Sequence, residues 1–513
     1  MVTASSATAI SGIYTEVNTA LSANAATPAT IAGLGAANVT LTGTPTVTNV
    51  NTIAGKTTGT VTATLAAAAL STFATLATDP QALTISVNDA SLAAGALNTL
   101  DGTTTGAVNA ATVNTLTGLA ADANTALTSS GISNLGNEAV TLSDTSLAAS
   151  VLNTLDGNTT GAVNASTVTT LTGLAADANT AYASGGISGL GNEAVTLSDT
   201  SLATTVLNTL DGNTSGVVNA ATVTTLTGTA ATANTAYASS GISGLGNEAV
   251  TISDTELATT VLNTLDGNTT GAVNAATVTT LTGLAADANT AYASSGISGL
   301  GNEAVTLSDT SVAASVLNTL DGNTTGTVNA ASVNSITGTL AKLLTAYGSN
   351  GITGLGNETI SVSDTGGGSS LAASDLNSLD SKTSGTITTA NGLETLTGTV
   401  AALNTAYGSA GLSIQGDEAI TITDTTVDAE ALNNLNNYTS GVIDADTLTK
   451  VTGTLADVNV AFAADAASSA TISGLGDQDV ELTDTNVLAA DLNTLNGYTL
   501  GTVDASTVAV MED

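Results

Sequence analysis

One block of about 55 residues recurs from one end of this chain to the other, and this repetition constrains the fold more than any other feature. The clearest copy covers residues 273–327, and the four central copies are nearly identical. Self-similarity at this period is typical of repeat proteins, in which each unit stacks on the next. The repeats are 47 to 60 residues long, and their boundaries fall at Val2, Val61, Val108, Val163, Val218, Val273, Val328, Ile387, Ile443 and Val503.

Within one repeat, apolar residues indicate short strands and short helices. Residues 305–307 alternate between apolar and polar, which predicts a half-buried strand. Asp309 follows as a helix N-cap signal, residues 312–320 have helical spacing, and Gly322 is expected to end that helix. A second helical pattern covers residues 284–292. We therefore expect an α/β solenoid of short parallel strands and short helices. An all-β solenoid is the alternative, because Thr, Val and Asn are frequent and suit strands.

The outer repeats differ from the regular ones, which suggests three segments. Residues 1–107 form divergent N-terminal repeats with few charges, 108–386 the regular repeats, and 387–513 a divergent, acidic C-terminal part. Terminal repeats of solenoids are usually atypical because they cap an open core. The repeat that begins at Val328 is lengthened beside residues 366–368. The first and last residues also share one phase of the repeat, so the C-terminal face of one molecule is expected to fit the N-terminal face of the next.

The charge balance excludes several classes of function. The chain has 42 acidic residues, four Lys and no Arg, which gives a formal net charge of −38. We expect no nucleic-acid partner, because the cations that bind phosphate are missing. Cys and His are absent, so thiol and imidazole catalysis are excluded, and an enzyme or a small-molecule substrate is not expected. The N-terminus has no pattern of a cleavable signal peptide, and no segment predicts membrane insertion.

The phrase Gly299-Leu300-Gly301-Asn302-Glu303-Ala304 has the glycine spacing of a dinucleotide-binding loop. Such a loop should follow a strand and open a helix. Here the phrase precedes a predicted strand and recurs in almost every repeat, so we interpret it as a turn between coils.

Two series of repeated side chains are candidates for structural ladders. Stacked Asn amides can bond to one another or to backbone carbonyls and so fix the register of coils. The repeated tyrosines are expected to form an aromatic stack in the core. The Asn series contains Asn153, Asn208, Asn263 and Asn318, and the Tyr series contains Tyr182, Tyr237 and Tyr292.

Repeated acids are the only candidates for metal chemistry. Each Glu of one series lies six residues before an Asp, and stacking would arrange both series in rows. Carboxylates with Asn and Thr oxygens can bind Ca²⁺, although helix capping and a surface turn would also account for these acids. No other cofactor is expected. The candidate ligands are Glu193, Asp199, Glu248, Asp254, Glu303 and Asp309.

The phrase LNTLDGNT at residues 317–324 resembles a phrase repeated in tail-fibre-like proteins of marine phages. The whole repeat is similar to Thr-, Ala- and Asn-rich tracts of large surface or secreted proteins of marine cyanobacteria. The resemblance covers nearly all nine repeats and transfers no site residue. It implies a structural role outside the cell or in a virion.

The sequence thus predicts a non-enzymatic extracellular or cell-surface structural protein. We expect an acidic rod whose partner is itself, in a head-to-tail polymer that forms a filament, sheath or surface layer. A phage tail-fibre or adhesin stalk that acts as a spacer is the alternative, and an ice-binding array of threonines is a minor one.

Overall fold

The computed structural model describes residues 1–77, 81–364, 369–389 and 393–513. The lengthening predicted beside residues 366–368 lies outside these ranges. The chain divides into two compact units, Met1–Thr251 with Asn268–Gly271, and Ile252–Gly267 with Ala272–Asp513. Each unit is an α/β solenoid in which short parallel strands alternate with helices. The predicted fold class is confirmed, and the all-β alternative is wrong.

Two helices per regular repeat give eighteen helices in the described part of the chain. They are α1 Tyr14–Ala25, α2 Val47–Ala54, α3 Leu70–Phe73, α4 Ala94–Gly102, α5 Ala120–Thr128, α6 Ala149–Asn158, α7 Ala175–Ala183, α8 Thr204–Asn213, α9 Ala230–Ala238, α10 Thr259–Asn268, α11 Ala285–Ala293, α12 Ala314–Asn323, α13 Leu340–Gly348, α14 Ala373–Asp380, α15 Val400–Gly408, α16 Ala429–Asn436, α17 Leu455–Ala466 and α18 Ala489–Tyr498.

The strands are two to five residues long. The first twenty, β1 to β20, are Val2–Thr3, Ala9–Gly12, Ile31–Ala32, Asn38–Leu41, Val61–Thr64, Ala82–Ser86, Ser91–Ala93, Val108–Asn109, Thr115–Gly118, Ile132–Ser133, Ala139–Leu142, Ser146–Ala148, Val163–Asn164, Thr170–Gly173, Ile187–Ser188, Ala194–Leu197, Ser201–Ala203, Val218–Asn219, Thr225–Gly228 and Ile242–Ser243. The remaining ones, β21 to β44, are Ala249–Ile252, Glu256–Ala258, Val273–Asn274, Thr280–Gly283, Ile297–Ser298, Ala304–Leu307, Ser311–Ala313, Val328–Asn329, Ser335–Gly338, Ile352–Thr353, Thr359–Val362, Ser370–Ala372, Ile387–Thr389, Thr395–Gly398, Leu412–Ser413, Ala419–Ile422, Thr426–Asp428, Ile443–Asp444, Lys450–Gly453, Ile472–Ser473, Asp479–Leu482, Asn486–Leu488, Val503–Asp504 and Val510–Glu512.

Within each ladder, neighbouring strands come from successive coils and pair in parallel. In the second unit one ladder joins Leu257, Leu281, Val305, Val328 and Ile352. Successive partners in this ladder are 23 or 24 residues apart. A strand that follows its neighbour by one full coil can pair in parallel, because the helix of the coil supplies the crossover.

From α4 onwards, coils with two strands alternate with coils with three strands in the described part of the chain. Strands β23 and β24 lie between α10 and α11, whereas β25, β26 and β27 lie between α11 and α12. The third strand is offset from the second by about seven residues, and it starts a new ladder, in which Val312 of β27 pairs with Ile336. One sequence repeat of about 55 residues therefore contains one coil of each kind.

The core consists of small and branched aliphatic side chains. Leu281, Val305 and Val328 are fully buried, with 0% exposure. The helices contribute residues three positions apart, which lie on one face. In α11 these are Ala285, Ala288 and Ala291, and in α12 they are Ala314, Leu317 and Leu320. Each fully buried Leu or Val stabilises the fold by about 1.5–3 kcal/mol, which helices this short require because they are marginal alone.

The structure confirms some predicted elements and corrects others. The strand predicted at 305–307 is part of β26, and the helix predicted at 284–292 is α11. Val312, however, belongs to β27, so α12 begins two residues later than predicted. The prediction that Gly322 ends this helix is wrong, because α12 continues through Asn323. None of the helices within the described ranges has the length and hydropathy to cross a bilayer.

Candidate functional site

The turn between β25 and β26 contains a glutamate that is completely buried. Glu303 has 0% exposure, and its Oε2 accepts hydrogen bonds from the backbone N–H of Gly301 at 2.8 Å and of Asn302 at 3.1 Å. The φ of Gly301 is 140°, a conformation that favours glycine. The phrase at residues 299–304, which has the glycine spacing of a dinucleotide-binding loop, thus forms a turn, as predicted. The N–H groups of this turn bind the protein's own carboxylate.

The next coil closes over this turn. Thr324, which is buried, donates its hydroxyl to the backbone oxygen of Glu303 at 2.7 Å. The same Oγ1 accepts from the N–H of Gly326 at 2.9 Å. A Cβ on Gly326 would lie 2.2 Å from the Glu303 oxygen, so only glycine allows this approach. We call Glu303, Thr324, Gly326 and their equivalents in other repeats the glutamate turn.

The glutamate turn recurs in other repeats, with distances from the Thr hydroxyl to the Glu backbone oxygen of 2.7 to 3.5 Å. The buried glutamates are Glu138, Glu193, Glu248, Glu303, Glu358 and Glu418, and a Thr bonds to the backbone oxygen of each. In the last repeat Gln478 takes this place. Charged side chains are usually exposed, so a buried row of acids was not expected from the sequence.

A tyrosine from the preceding helix donates to the same carboxylate oxygen in five of the turns. The distance from Tyr Oη to Glu Oε2 is 3.0 Å for Tyr182, Tyr237 and Tyr292, 2.7 Å for Tyr347 and 3.3 Å for Tyr407. Burial raises the pKa of each of these phenols well above its ordinary value, and the neighbouring glutamate raises it further. A hydrogen bond with the Thr of the turn lowers it in part.

The predicted stack of tyrosines in the core is wrong. Tyr182, Tyr237 and Tyr292 are half-buried, and each bonds to its own glutamate instead of packing on the next ring. Within the described ranges, the only stacked aromatic pair joins Tyr407 and Tyr438, with centroids 5.7 Å apart. Tyrosines one repeat apart are separated by two coils, and this spacing keeps their rings from meeting.

The aspartates of the candidate metal set cap helices across coils. Asp309 Oδ2 accepts from the N–H of Ala285 at 2.8 Å, so it caps α11 of the preceding coil. The prediction that it caps its own helix is wrong, because the N-cap of α12 is Ala313. Asp199 accepts from Ala175 at 2.9 Å in the same manner, and Asp254 is the equivalent residue of its repeat. A carboxylate at a helix N-terminus is favourable because the free N–H groups and the helix dipole both attract it.

These contacts give the two acids of each candidate pair separate roles. Glu303 is enclosed in its turn, whereas Asp309 reaches the end of a helix, and the pairs at Glu193 and Glu248 follow the same plan. Within the described ranges, no three Asp, Glu, His or Cys side chains are grouped in a way that could hold a metal ion. Calcium binding stays a prediction.

The repeated asparagines join one helix to the next. The amide of Asn318 donates to the backbone oxygen of Lys342 at 2.9 Å. Asn153, Asn208 and Asn263 donate at the same distance to Asp177, Thr232 and Asp287. The acceptor is always 24 residues further along the chain. This series bonds to backbone carbonyls and not to other members of the series.

Sequence reasoning missed two further series of contacts between coils. Thr277 donates to the backbone oxygens of both Ile252 and Asp254 at 2.9 Å. Ser294 donates to Asp266 Oδ2 at 2.6 Å. The signal was available, because these Thr, Ser and Asp positions recur in the regular repeats. Their partners are one coil away, however, and only the register of the coils identifies them.

The repeated polar groups of this site therefore hold coils together. One cleft of about 420 Å³ lies between α3 and α4, and its lining, which includes Leu70, Phe73 and Leu100, contains no ionisable side chain. Comparison with known proteins gives no relatives: no protein-family model, no curated protein and no solved structure matches this chain.

Proposed function

We propose that this chain is a non-enzymatic structural protein, located outside the cell or at its surface, that assembles end to end with copies of itself. The observation that carries the proposal is the use of the repeated polar side chains. Asn318, Asp309 and Thr277 each bond to the backbone of a neighbouring coil. A coil edge of this kind is complementary to the edge of another coil of the same type, whether or not both belong to one molecule.

The coils at both ends of this chain have such an edge. Strand β1 pairs with β3, and β44 pairs with β42, so one side of each end strand carries no partner among the described residues. Unpaired parallel edges can accept a strand from another molecule. Apolar residues are exposed beside both edges, with Val2 at 64%, Leu500 at 93% and Val510 at 50%.

A further donor lies unused at the C-terminal edge. Asn493 of α18 is the equivalent of Asn318, its side chain is exposed, and no hydrogen-bond partner is found for it within the described part of the chain. In an assembly it would donate to a backbone carbonyl of the first coil of the next copy. This is the contact that Asn318 makes inside the chain.

The charge supports assembly in salt water. A net charge of −38 with four Lys opposes association at low ionic strength, because like charges repel over the Debye length. That length falls to about 8 Å or less at physiological ionic strength and above. Assembly is therefore expected to strengthen as salt is added.

The test is negative-stain electron microscopy of the purified chain at low salt and at seawater-strength salt, with calcium and with chelator. Filaments much longer than one molecule, present only at high salt, are expected. Filaments that dissolve in chelator would identify the acids as metal sites. Single particles in every condition would overturn self-assembly and favour the alternative, a stalk or spacer.

A matched pair of variants tests the edge itself. Val510→Lys places a charge on the edge strand β44, whereas Leu174→Lys places one on a residue of similar exposure, 47% against 50%, inside the regular repeats. Val510→Lys should abolish filaments and Leu174→Lys should keep them. Filaments that survive Val510→Lys, or that both variants abolish equally, would contradict assembly through this edge.

A further inference from the structure

Five of the glutamate turns contain a carboxylate oxygen that has no partner. In Glu138, Glu193, Glu248, Glu303 and Glu358 the side chain is completely buried, and the Oε1 atom makes no hydrogen bond. The Oε2 atom of each accepts from the N–H of the residue two positions before it. A buried polar atom without a partner is costly, and buried charges in proteins are paired or coordinate metal ions.

The last repeat shows which groups surround this position. Gln478 is the equivalent of Glu303, and its Oε1 accepts from the N–H of Asp477 at 3.1 Å, as Glu303 Oε2 does from the residue before it. The Nε2 of Gln478 therefore corresponds to the unpartnered Oε1. It donates to the backbone oxygens of Gly474 and Leu448, and to Asp477 Oδ1 at 3.0 Å. Three oxygens thus converge on this one atom.

The same oxygens belong to the turn of Glu303. The equivalents of the three acceptors are, in the same order, Gly299, Val278 and Asn302. The backbone oxygens of Gly299 and Val278 receive no hydrogen bond within the described part of the chain. A glutamine brings an amide N–H to these acceptors, whereas a carboxylate brings one more acceptor. A set made only of oxygens is what alkali and alkaline-earth ions bind in proteins.

The charge of the site favours a monovalent ion. Each turn supplies one carboxylate, and the only ion pair within the described ranges joins Lys450 to Glu481, so no Lys neutralises any of the five. One alkali ion would match one carboxylate, whereas Ca²⁺ would leave an excess positive charge in a buried place. The EF-hand calcium loop, by comparison, uses several carboxylates.

We propose that each of these five turns binds one monovalent alkali ion, held between the glutamate Oε1 and two backbone oxygens. In the turn of Glu303 the ligands are Glu303 Oε1, the backbone oxygens of Gly299 and Val278, and the side-chain oxygen of Asn302. Asn302 is exposed, so solvent reaches the turn at this residue. Five bound ions would offset five negative charges of a chain whose formal net charge is −38.

Two turns of the same chain should bind no ion. In one, Glu418 Oε1 already accepts from the N–H of Gln415 at 3.1 Å. In the other, Gln478 supplies an amide to the surrounding oxygens. These two turns are internal controls, because they share the fold and the solution of the other five.

The first test is anomalous diffraction from crystals of the intact chain soaked in thallium(I) acetate. Tl⁺ resembles K⁺ in size and charge, and a water molecule gives no anomalous signal. Peaks are expected beside Oε1 of the five glutamates and not at Glu418 or Gln478. Water without anomalous signal at the five turns would overturn the proposal. Sites that take Ca²⁺ and exclude Tl⁺ would overturn it as well.

The second test is hydrogen exchange in solution at one ionic strength, in sodium, potassium or tetramethylammonium chloride. The quaternary ion is too large for a buried site, and equal ionic strength keeps screening constant. Exchange at the Gly326 amide should be slower in at least one alkali chloride, by the factor 1 + [M⁺]/Kd. The Gly501 amide of the last repeat should exchange alike in all three. Equal exchange of Gly326 in all three salts would contradict ion binding.

Two variants identify the ligand. Glu303→Gln introduces the residue that the last repeat has and should remove one of the five anomalous peaks. It should also make exchange at Gly326 independent of the salt. Glu256→Gln changes an exposed glutamate of β22 and should keep all five peaks. If Glu303→Gln also keeps all five, its carboxylate is not a ligand and the proposal fails. Neither readout requires filaments, so the result is independent of self-assembly.

Discussion

The turns at Glu303 and Gln478 have the same backbone contacts and different side chains. In both, a Thr donates to the backbone oxygen, and a Gly two residues later approaches that oxygen closely. The tyrosine that bonds to Glu303 has Phe462 as its equivalent in the last repeat, where no carboxylate needs a donor. The comparison teaches that the turn requires an acceptor for its N–H groups and does not require a charge.

Substitution of the glycine that approaches the backbone oxygen should have the largest effect on stability in both turns. We expect Gly326→Ala and Gly501→Ala each to destabilise their coils by about 3 kcal/mol, because the new Cβ would lie 2.2 Å from a backbone oxygen. Urea unfolding followed by circular dichroism measures the loss. Gly322→Ala is the control, since its Cβ would meet nothing within 4 Å and alanine favours the helix. A tolerated Gly326→Ala would show that the coils can separate at this point.

Substitution of the threonine should have the next largest effect on stability, and the effect should be similar in both turns. Thr324→Val removes the donor to Glu303 and the acceptor for Gly326, so the buried backbone oxygen of Glu303 and the part-buried N–H of Gly326 lose their partner. We expect a loss of about 2 kcal/mol, and the same for Thr499→Val. The exposed Thr325 is the matched control, and Thr325→Val should change the free energy of unfolding by less than half as much. Equal losses in Thr324→Val and Thr325→Val would contradict the role of the buried hydroxyl.

Removal of a helix cap should have a larger effect at α11 than at α17 in the C-terminal repeats. Asp309→Ala removes the side chain that caps α11, whose own N-cap residue makes no side-chain bond, and about 1 kcal/mol should be lost. Asp484→Ala should cost less. The reason is that α17 is also capped by Thr454, which accepts from Asp457. Hydrogen exchange at the first turn of each helix measures the difference. Faster hydrogen exchange in α17 of Asp484→Ala than in α11 of Asp309→Ala would contradict this order of effects.

The smallest effect concerns the tyrosines and appears only at alkaline pH. The pKa of Tyr182, Tyr237, Tyr292, Tyr347 and Tyr407 is raised in the folded chain. A raised pKa contributes stability that is complete below the unfolded value of about 10 and is lost as pH rises above it. These five phenols should therefore stay protonated at about pH 11 until the chain unfolds.

Tyrosinate absorbance during a pH titration, with and without urea, measures this effect. Tyr292→Phe introduces the residue that Phe462 provides in the last repeat, and it should lower by one the number of tyrosines that resist ionisation. It should reduce the free energy of unfolding by less than about 1 kcal/mol at neutral pH. Ionisation of all eight tyrosines near pH 10 in the folded chain would contradict the burial of these hydroxyls.

Local sequence patterns predicted the structural features that depend only on residues close together in the sequence. The strand β26 and the helix α11 follow from apolar spacing, and the repeat itself predicted the solenoid. The role of Asp309 could not be predicted, because an Asp before a helix looks the same whether it caps that helix or one in the preceding coil. Only the register of 24 residues between Ala285 and Asp309 decides this.

The candidate site was hidden for a different reason. Glu303 follows Gly301 and Asn302 in a polar phrase that reads as a surface turn, and a charged residue is normally exposed. Its burial depends on Thr324 and Gly326, which belong to the next coil and close over it. The third strand, β27, was missed because Ser311–Ala313 merges in the sequence with the apolar pattern of α12.

The alternation of two-strand and three-strand coils also limits how such a gene can change in length. Loss or gain of one coil would place two coils of the same kind next to each other and interrupt the ladders that start at strands such as β22 and β27. Loss or gain of a whole repeat would restore every pairing. Unequal recombination between near-identical copies shifts the sequence by whole repeats, so the number of repeats can vary between generations while each remaining coil keeps its neighbours.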